Sequence, residues 1–460
     1  MTRVDALRER VRRLMPQARS DLAELVAFRS VADERQFPPE ECERAARWIL
    51  DALGAAGFPE HQAYEMPDGS NAVYGHVPGP AGAPTVLLYS HYDVQPPLNE
   101  EAWDTPPWEL TEKDGRWYGR GAADCKGNVV AHLTALRALG DELPVGVKFI
   151  AEGSEEQASD GLERFVPRQP DLLAADAIVV ADTGNVAAGV PTMTTSLRGA
   201  VGMVVNVRTL ATSLHSGAFG GSAPDALAAL VRMLASLHDD RGNTVVRGLD
   251  ATRAWAGAEY PVEQFRLDAG VLDGVELLGD GEVADLLWAR PAATVLGIDC
   301  PPVVGATASI QPEARALILL RIPPGTNADD AQNALAAHLR AVAPWGARVE
   351  LERHGAADPF TGRVAGPAHG AMRAAMEEAY RREPVTAGQG GSIPLCNILQ
   401  ETYPEAEILL IGVEEPGCQI HAPNESVDPK ELERLALVEA LFLGKYAKML
   451  SSSTDGGARP

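Results

Sequence analysis

Residues 85–96 read TVLLYSHYDVQP. The run TVLLYS is short, rich in β-forming residues and almost wholly apolar, the pattern of a strand buried on both faces. It breaks abruptly into His91 and Asp93. Two more apolar runs have the same texture, VGVKFIAE at 145–152 and DAIVVAD at 176–182, and a helical pattern spans about 127–139. Strands alternating with helices predict an α/β fold with a mixed, largely parallel sheet sandwiched by helices. In such sheets ligands bind beyond the carboxyl ends of the strands. Polar residues directly after an apolar run therefore carry the most weight.

Five such places bear His, Asp or Glu. They are LLYSHYDVQP (His91, Asp93), GRGAADCKGN (Asp124), IAEGSEEQAS (Glu155, Glu156), VVADTGN (Asp182) and CQIHAPNES (His421). Two imidazoles with several carboxylates are ligand chemistry for Zn²⁺ or Mn²⁺, and the lack of paired thiolates excludes a structural zinc finger. Of the neighbours Glu155 and Glu156, one can bind metal while the other accepts a proton from activated water. Five ligand candidates besides Glu155 and Asp93 suit two metals sharing a bridging carboxylate.

From about Thr194 the texture changes. LRGAVGMVVNVRT (197–209), RALILLRIPPG (315–325) and ARVELERH (347–354) read as strands, and 223–238 and 328–342 as helices. Together they predict a compact α+β domain of one sheet and two helices. The stretch 241–300 has weak periodicity and reads only as helices and loops. A helix returns after Pro367, followed by the apolar AEILLIGV (406–413) and a last helix at 429–450.

The chain has 460 residues, a prior of about three domains at ~150 residues each. Lys and Arg total 40 against 64 Asp and Glu, a net charge of −24. That balance excludes a general nucleic-acid binder and disfavours an anionic membrane surface. At 45% apolar residues the composition is that of a globular protein. The five cysteines are scattered without CxxC spacing, so no disulfide framework is expected. No apolar run approaches the ~18 residues of a membrane span. The Arg-rich N-terminus lacks an apolar signal core, so a soluble, cytoplasmic protein is expected.

The five motifs, in this order, resemble the M20 family of metallopeptidases over nearly the whole chain. The HYDVQP spelling, the GGSIP loop at 390–394 and the length look most like its dipeptidase branch, which includes cytosolic non-specific dipeptidase and carnosinase; carboxypeptidase G-type enzymes also belong to the family. The resemblance implies a zinc-exopeptidase-like catalytic domain split into 1–194 and 356–460, flanking a lid and dimerisation domain at 195–355. It implies two divalent ions, zinc first with manganese or cobalt as alternatives. Asp124 would bridge them, His91 and Asp182 complete one site, and Glu156 and His421 the other. Glu155 would be the general base on a metal-bridging water, and Asp93 would orient His91. The Asp124–Cys125 peptide is expected to be cis, with Cys125 placing a thiol near the metals. His215, in TSLHSGAFGG, would reach across a homodimer to steady the oxyanion. Arg321, Ser392 and Gly391 would hold the substrate carboxylate. The implied reaction is hydrolysis of a dipeptide or short peptide; the alternative is an N-acyl-amino-acid deacylase or desuccinylase.

Overall fold

The computed structural model describes residues 2–157 and 159–455. The chain folds as two compact units. The first comprises 1–195, 362–387 and 395–460; the second comprises 196–361 and 388–394.

The sheet of the first unit runs in the order Glu60–Glu65, Asn71–Val77, Gly146–Glu152, Thr85–His91, Ala177–Ala181, Glu407–Ile411, with Thr194 pairing beyond Leu410. The four strands from Gly146–Glu152 to Glu407–Ile411 are mutually parallel. The strands flanking them pair antiparallel. The expected parallel arrangement is thus concentrated at the centre, where the most apolar runs lie. Thr85–His91 is buried from Val86 onward and Ala177–Ala181 throughout. The helices Arg3–Ala27, Glu40–Ala55, Lys126–Leu139, Pro367–Tyr380 and Pro429–Asp455 contribute to one continuous apolar core with this sheet.

The second unit has an antiparallel sheet in the order Ala292–Asp299, Glu313–Ile322, Gly199–Arg208, Arg348–Ala357. Side chains of Glu313–Ile322 alternate buried and more exposed, as a strand with one covered face must. The helices Ala226–Ala235 and Ala328–Ala341 cover that face through Leu230, Met233, Leu335 and Leu339. The strand Ala292–Asp299 lies in the stretch read from sequence only as helices and loops. It is an edge strand with a bulge between Val295 and Gly297 and mostly exposed side chains, so it shows none of the alternation by which a half-buried strand is recognised. The rest of that stretch includes the short helix Val262–Asp268.

Candidate active site

In the first unit the polar residues after the parallel strands meet. His91 ends its strand, Glu155 and Glu156 follow the turn after Gly146–Glu152, and Asp182 follows Ala177–Ala181. Asp124 precedes the Lys126–Leu139 helix, and its peptide bond to Cys125 is cis. Gly121, at φ +80°, lets this loop turn; a Cβ there would lie 2.5 Å from a Val94 methyl.

Asp124 lies between two groups of ligating atoms. Its Oδ1 is 3.1 Å from His91 Nε2, which is also 3.2 Å from Asp182 Oδ1. Its Oδ2 is 2.9 Å from His421 Nε2, which is 3.2 Å from Glu156 Oε2. Each imidazole nitrogen thus faces two carboxylate oxygens at once, more acceptors than one N–H can serve linearly. Glu156 Oε1 is buried without a partner. Convergent imidazole and carboxylate donors around an orphaned buried oxygen fit divalent cations of the zinc or manganese type. On this geometry His91, Asp124 and Asp182 can hold one ion, and Asp124, Glu156 and His421 a second.

Burial and charge set the protonation of these groups. Burial by itself raises the Asp124 carboxyl, but hydrogen bonds from His421 and His91 override it and hold it well below the usual range. Those to Asp124 and Glu156 push His421 up to about 11. Burial, then the nearby Asp182 charge, raises Glu155 well above an ordinary carboxyl. Burial likewise raises Glu156 and Asp182.

Asp93 is fully buried. It accepts the backbone N–H of Glu155 on Oδ1 at 3.1 Å and that of Glu156 on Oδ2 at 3.0 Å. The same Oδ1 lies 3.3 Å from His91 Nδ1. One carboxylate therefore positions both the glutamate pair and the imidazole. Cys125 Sγ sits beside His91, Asp124 and Asp182. Its S–H donates to the Ala181 carbonyl at 3.0 Å, and burial pushes the thiol up to about 12.

Three residues that motif reading passed over support this centre. Gln95 donates to Glu156 Oε2 at 2.8 Å. Glu425 is fully buried and accepts the backbone N–H groups of Gly121, Ala123 and Asp124 at 3.0–3.1 Å. Arg120 pairs with Glu425 at 2.6 Å and donates to the carbonyls of Pro96 and Ala422. This buried ion pair joins the loops that carry His91, Asp124 and His421. Both residues stand inside the quoted motifs GRGAADCKGN and CQIHAPNES, the only signal that pointed to them.

The remaining candidates lie in the second unit. Arg321 Nη1 donates to Ser392 Oγ at 3.0 Å, and the Ser392 hydroxyl donates to the Arg198 carbonyl at 2.6 Å. Gly391 is exposed beside Ser392. His215 is exposed, and its Nδ1 accepts the Ala218 N–H at 3.2 Å, capping a four-residue helix.

The model of peptidase family M20/M25/M40 matches residues 87–445. A cysteinylglycine-S-conjugate dipeptidase of Corynebacterium striatum is 46% identical over 413 residues, 88% of this chain and 90% of that protein. The β-Ala-His dipeptidase of Rattus norvegicus is 30% identical over 463 residues, 95% of this chain and 90% of that one. The crystal structure of human carnosine dipeptidase 1 superposes with a TM-score of 0.83 at 25% identity, covering 97% of this chain and 99% of the other. The motif order, the parallel-strand site and these matches agree: the chain belongs to peptidase family M20/M25/M40 and is a hydrolase of the metallodipeptidase type.

Proposed function

We propose that the protein hydrolyses the peptide bond of dipeptides or short peptides, using two divalent cations, zinc first, with manganese or cobalt as alternatives. S-substituted cysteinylglycine is the first substrate to try, given the name of the Corynebacterium striatum relative. The observation that carries this reading is Asp124, whose two oxygens face His91 with Asp182 on one side and His421 with Glu156 on the other. When bound, divalent cations in such a centre supply Lewis-acid polarisation of the scissile carbonyl and acidify water.

The chain's own residues do the rest. Glu155, held by Asp93 through its backbone, takes the proton of the attacking water and returns it to the leaving amine. Arg321, with Ser392 and the Gly391 backbone, binds the substrate carboxylate; a guanidinium fork matches its two oxygens. His215 donates to the developing oxyanion from the partner of a homodimer. The 195–355 segment then serves as lid and dimerisation domain and 1–194 with 356–460 as catalytic domain. Five cysteines without a disulfide fit a reducing compartment, which we take to be the cytoplasm.

The test is a substrate panel on metal-loaded enzyme: dipeptides, S-substituted cysteinylglycine, and N-acetyl and N-succinyl amino acids. Dipeptide turnover is expected to dominate, and a clear preference for the N-acyl amino acids would replace this reading with a deacylase. Glu155→Gln is expected to keep both ions and lose at least about 10³-fold in kcat; retained turnover would remove Glu155 from the base role. Full activity in a monomer at high dilution would exclude His215 acting in trans.

A further inference from the structure

Arg198 lies near the start of the second unit's main segment, just before the Gly199–Arg208 strand. Its side chain is only 9% exposed. Among the described residues its Nε and Nη1 have no hydrogen-bond partner. An unmet buried donor is destabilising, and more so on a charged group. A guanidinium does not relieve this by losing its proton near neutral pH. Burial first, and repulsion from a second cation, Arg321, next, pull Arg198 down to about 10.

The two arginines are tied together through the GGSIP loop. Arg321 donates to Ser392 Oγ, and Ser392 donates to the Arg198 carbonyl. The Arg198 N–H donates to the Gln389 carbonyl at 3.0 Å. Gly390 lies against the guanidinium itself: a Cβ at that position would stand 3.1 Å from Arg198 Nη2. A side chain at residue 390 would press the end of the Arg198 fork by a few tenths of an ångström. Two guanidinium groups tied to one loop, one of them with two orphaned N–H donors, stand out in a chain of net charge −24.

We propose that Arg198 is a second carboxylate-recognising residue: with Arg321 and Ser392 it binds the free C-terminal carboxylate of the substrate and makes that carboxylate a requirement. The proposal rests on the dipeptidase reading above and deepens it. Two forks on one carboxylate can use both of its oxygens on more than one lone pair. A C-terminal amide would then bring its NH₂ against N–H donors and leave Arg198 buried and unpaired, so the site rejects it.

The experiment compares a dipeptide with its C-terminal amide on wild-type enzyme, Arg198→Met, Arg198→Lys and Gly390→Ala. KM is read, or KI where turnover of the amide is too slow. In the wild type the amide is expected to bind at least about 100-fold more weakly than the acid. Arg198→Met is expected to raise KM for the acid at least 10-fold with kcat changed less than threefold, and to leave the amide nearly unaffected. Arg198→Lys should fall between. Gly390→Ala presses on the end of the guanidinium without removing it and should give a smaller acid-selective loss, while Arg198→Lys, which keeps the charge but not the fork, carries the test if Arg198→Met folds poorly. Equal losses for acid and amide, or no loss, would overturn the role of Arg198 while leaving the dipeptidase reading intact. A wild-type enzyme that cleaves no dipeptide would overturn both.

Discussion

Asp93 illustrates how much one side chain can organise without being a candidate ligand itself. Its carboxylate takes the two successive backbone N–H groups of Glu155 and Glu156 and stands against His91 Nδ1. Asparagine in its place would turn an NH₂ toward one of those N–H donors and weaken the hold on the imidazole. Asp93→Asn is expected to reduce metal affinity and turnover together by about 10–100-fold. Chelator competition alongside steady-state kinetics measures both; unchanged metal affinity would confine Asp93 to a packing role. His91, Asp93 and the Glu155–Glu156 pair were legible in the sequence because each follows an apolar strand. Gln95, Arg120 and Glu425 were not, because their parts depend on partners that only folding supplies. Glu425 meets Gly121 across about 300 residues of chain.

At the scale of elements, the Lys126–Leu139 helix is buried along nearly its whole length and is fastened by a polar contact. His132 Nδ1 lies 2.9 Å from Glu439 on the Pro429–Asp455 helix, and its Nε2 is 3.2 Å from the Tyr89 carbonyl. Both partners are acceptors, so the ring is held as an imidazolium. Burial alone would lower its pKa; the Glu439 carboxylate overrides that and raises it. A raised folded-state pKa contributes stability that is complete below the unfolded value of about 6.5 and is lost as pH rises through the folded value. Stability is therefore expected to decline above pH 6.5. Glu439→Gln should remove this part of the decline and cost about 3–5 kcal/mol below pH 6.5, as read by denaturant unfolding across pH. An unchanged pH profile would contradict the assignment. The same scale exposes the limit of pattern reading: the buried strands were legible from apolar runs, whereas the bulged edge strand Ala292–Asp299 was not, since few of its side chains are buried.

For the whole molecule, the charge of −24 has one concentrated component. Asp93, Asp124, Glu155, Glu156 and Asp182 lie together in the first unit, and divalent cations would offset their mutual repulsion. Removal of metal by a chelator is expected to abolish hydrolysis and lower the unfolding temperature, with both restored by adding zinc or manganese, because ions bound only to the folded state stabilise it. Thermal unfolding of chelated and reloaded protein reads this directly, and identical transitions would show that no ion links to folding. Among the described residues no helix is long and apolar enough to cross a membrane.

The sequence by itself determined the chemistry and order of the ligand motifs, the α/β class and the helices and strands whose faces are strongly buried, because periodicity and apolar runs report local burial. The tertiary structure alone decided which distant loops meet. It set Asp124 between His91 and His421, drew Arg120 and Glu425 into one buried pair, and, among the described residues, left two N–H donors of Arg198 without a partner. Those meetings follow from the order of strands in a sheet and from the burial that order creates, which are properties of long-range pairing and carry no local periodicity.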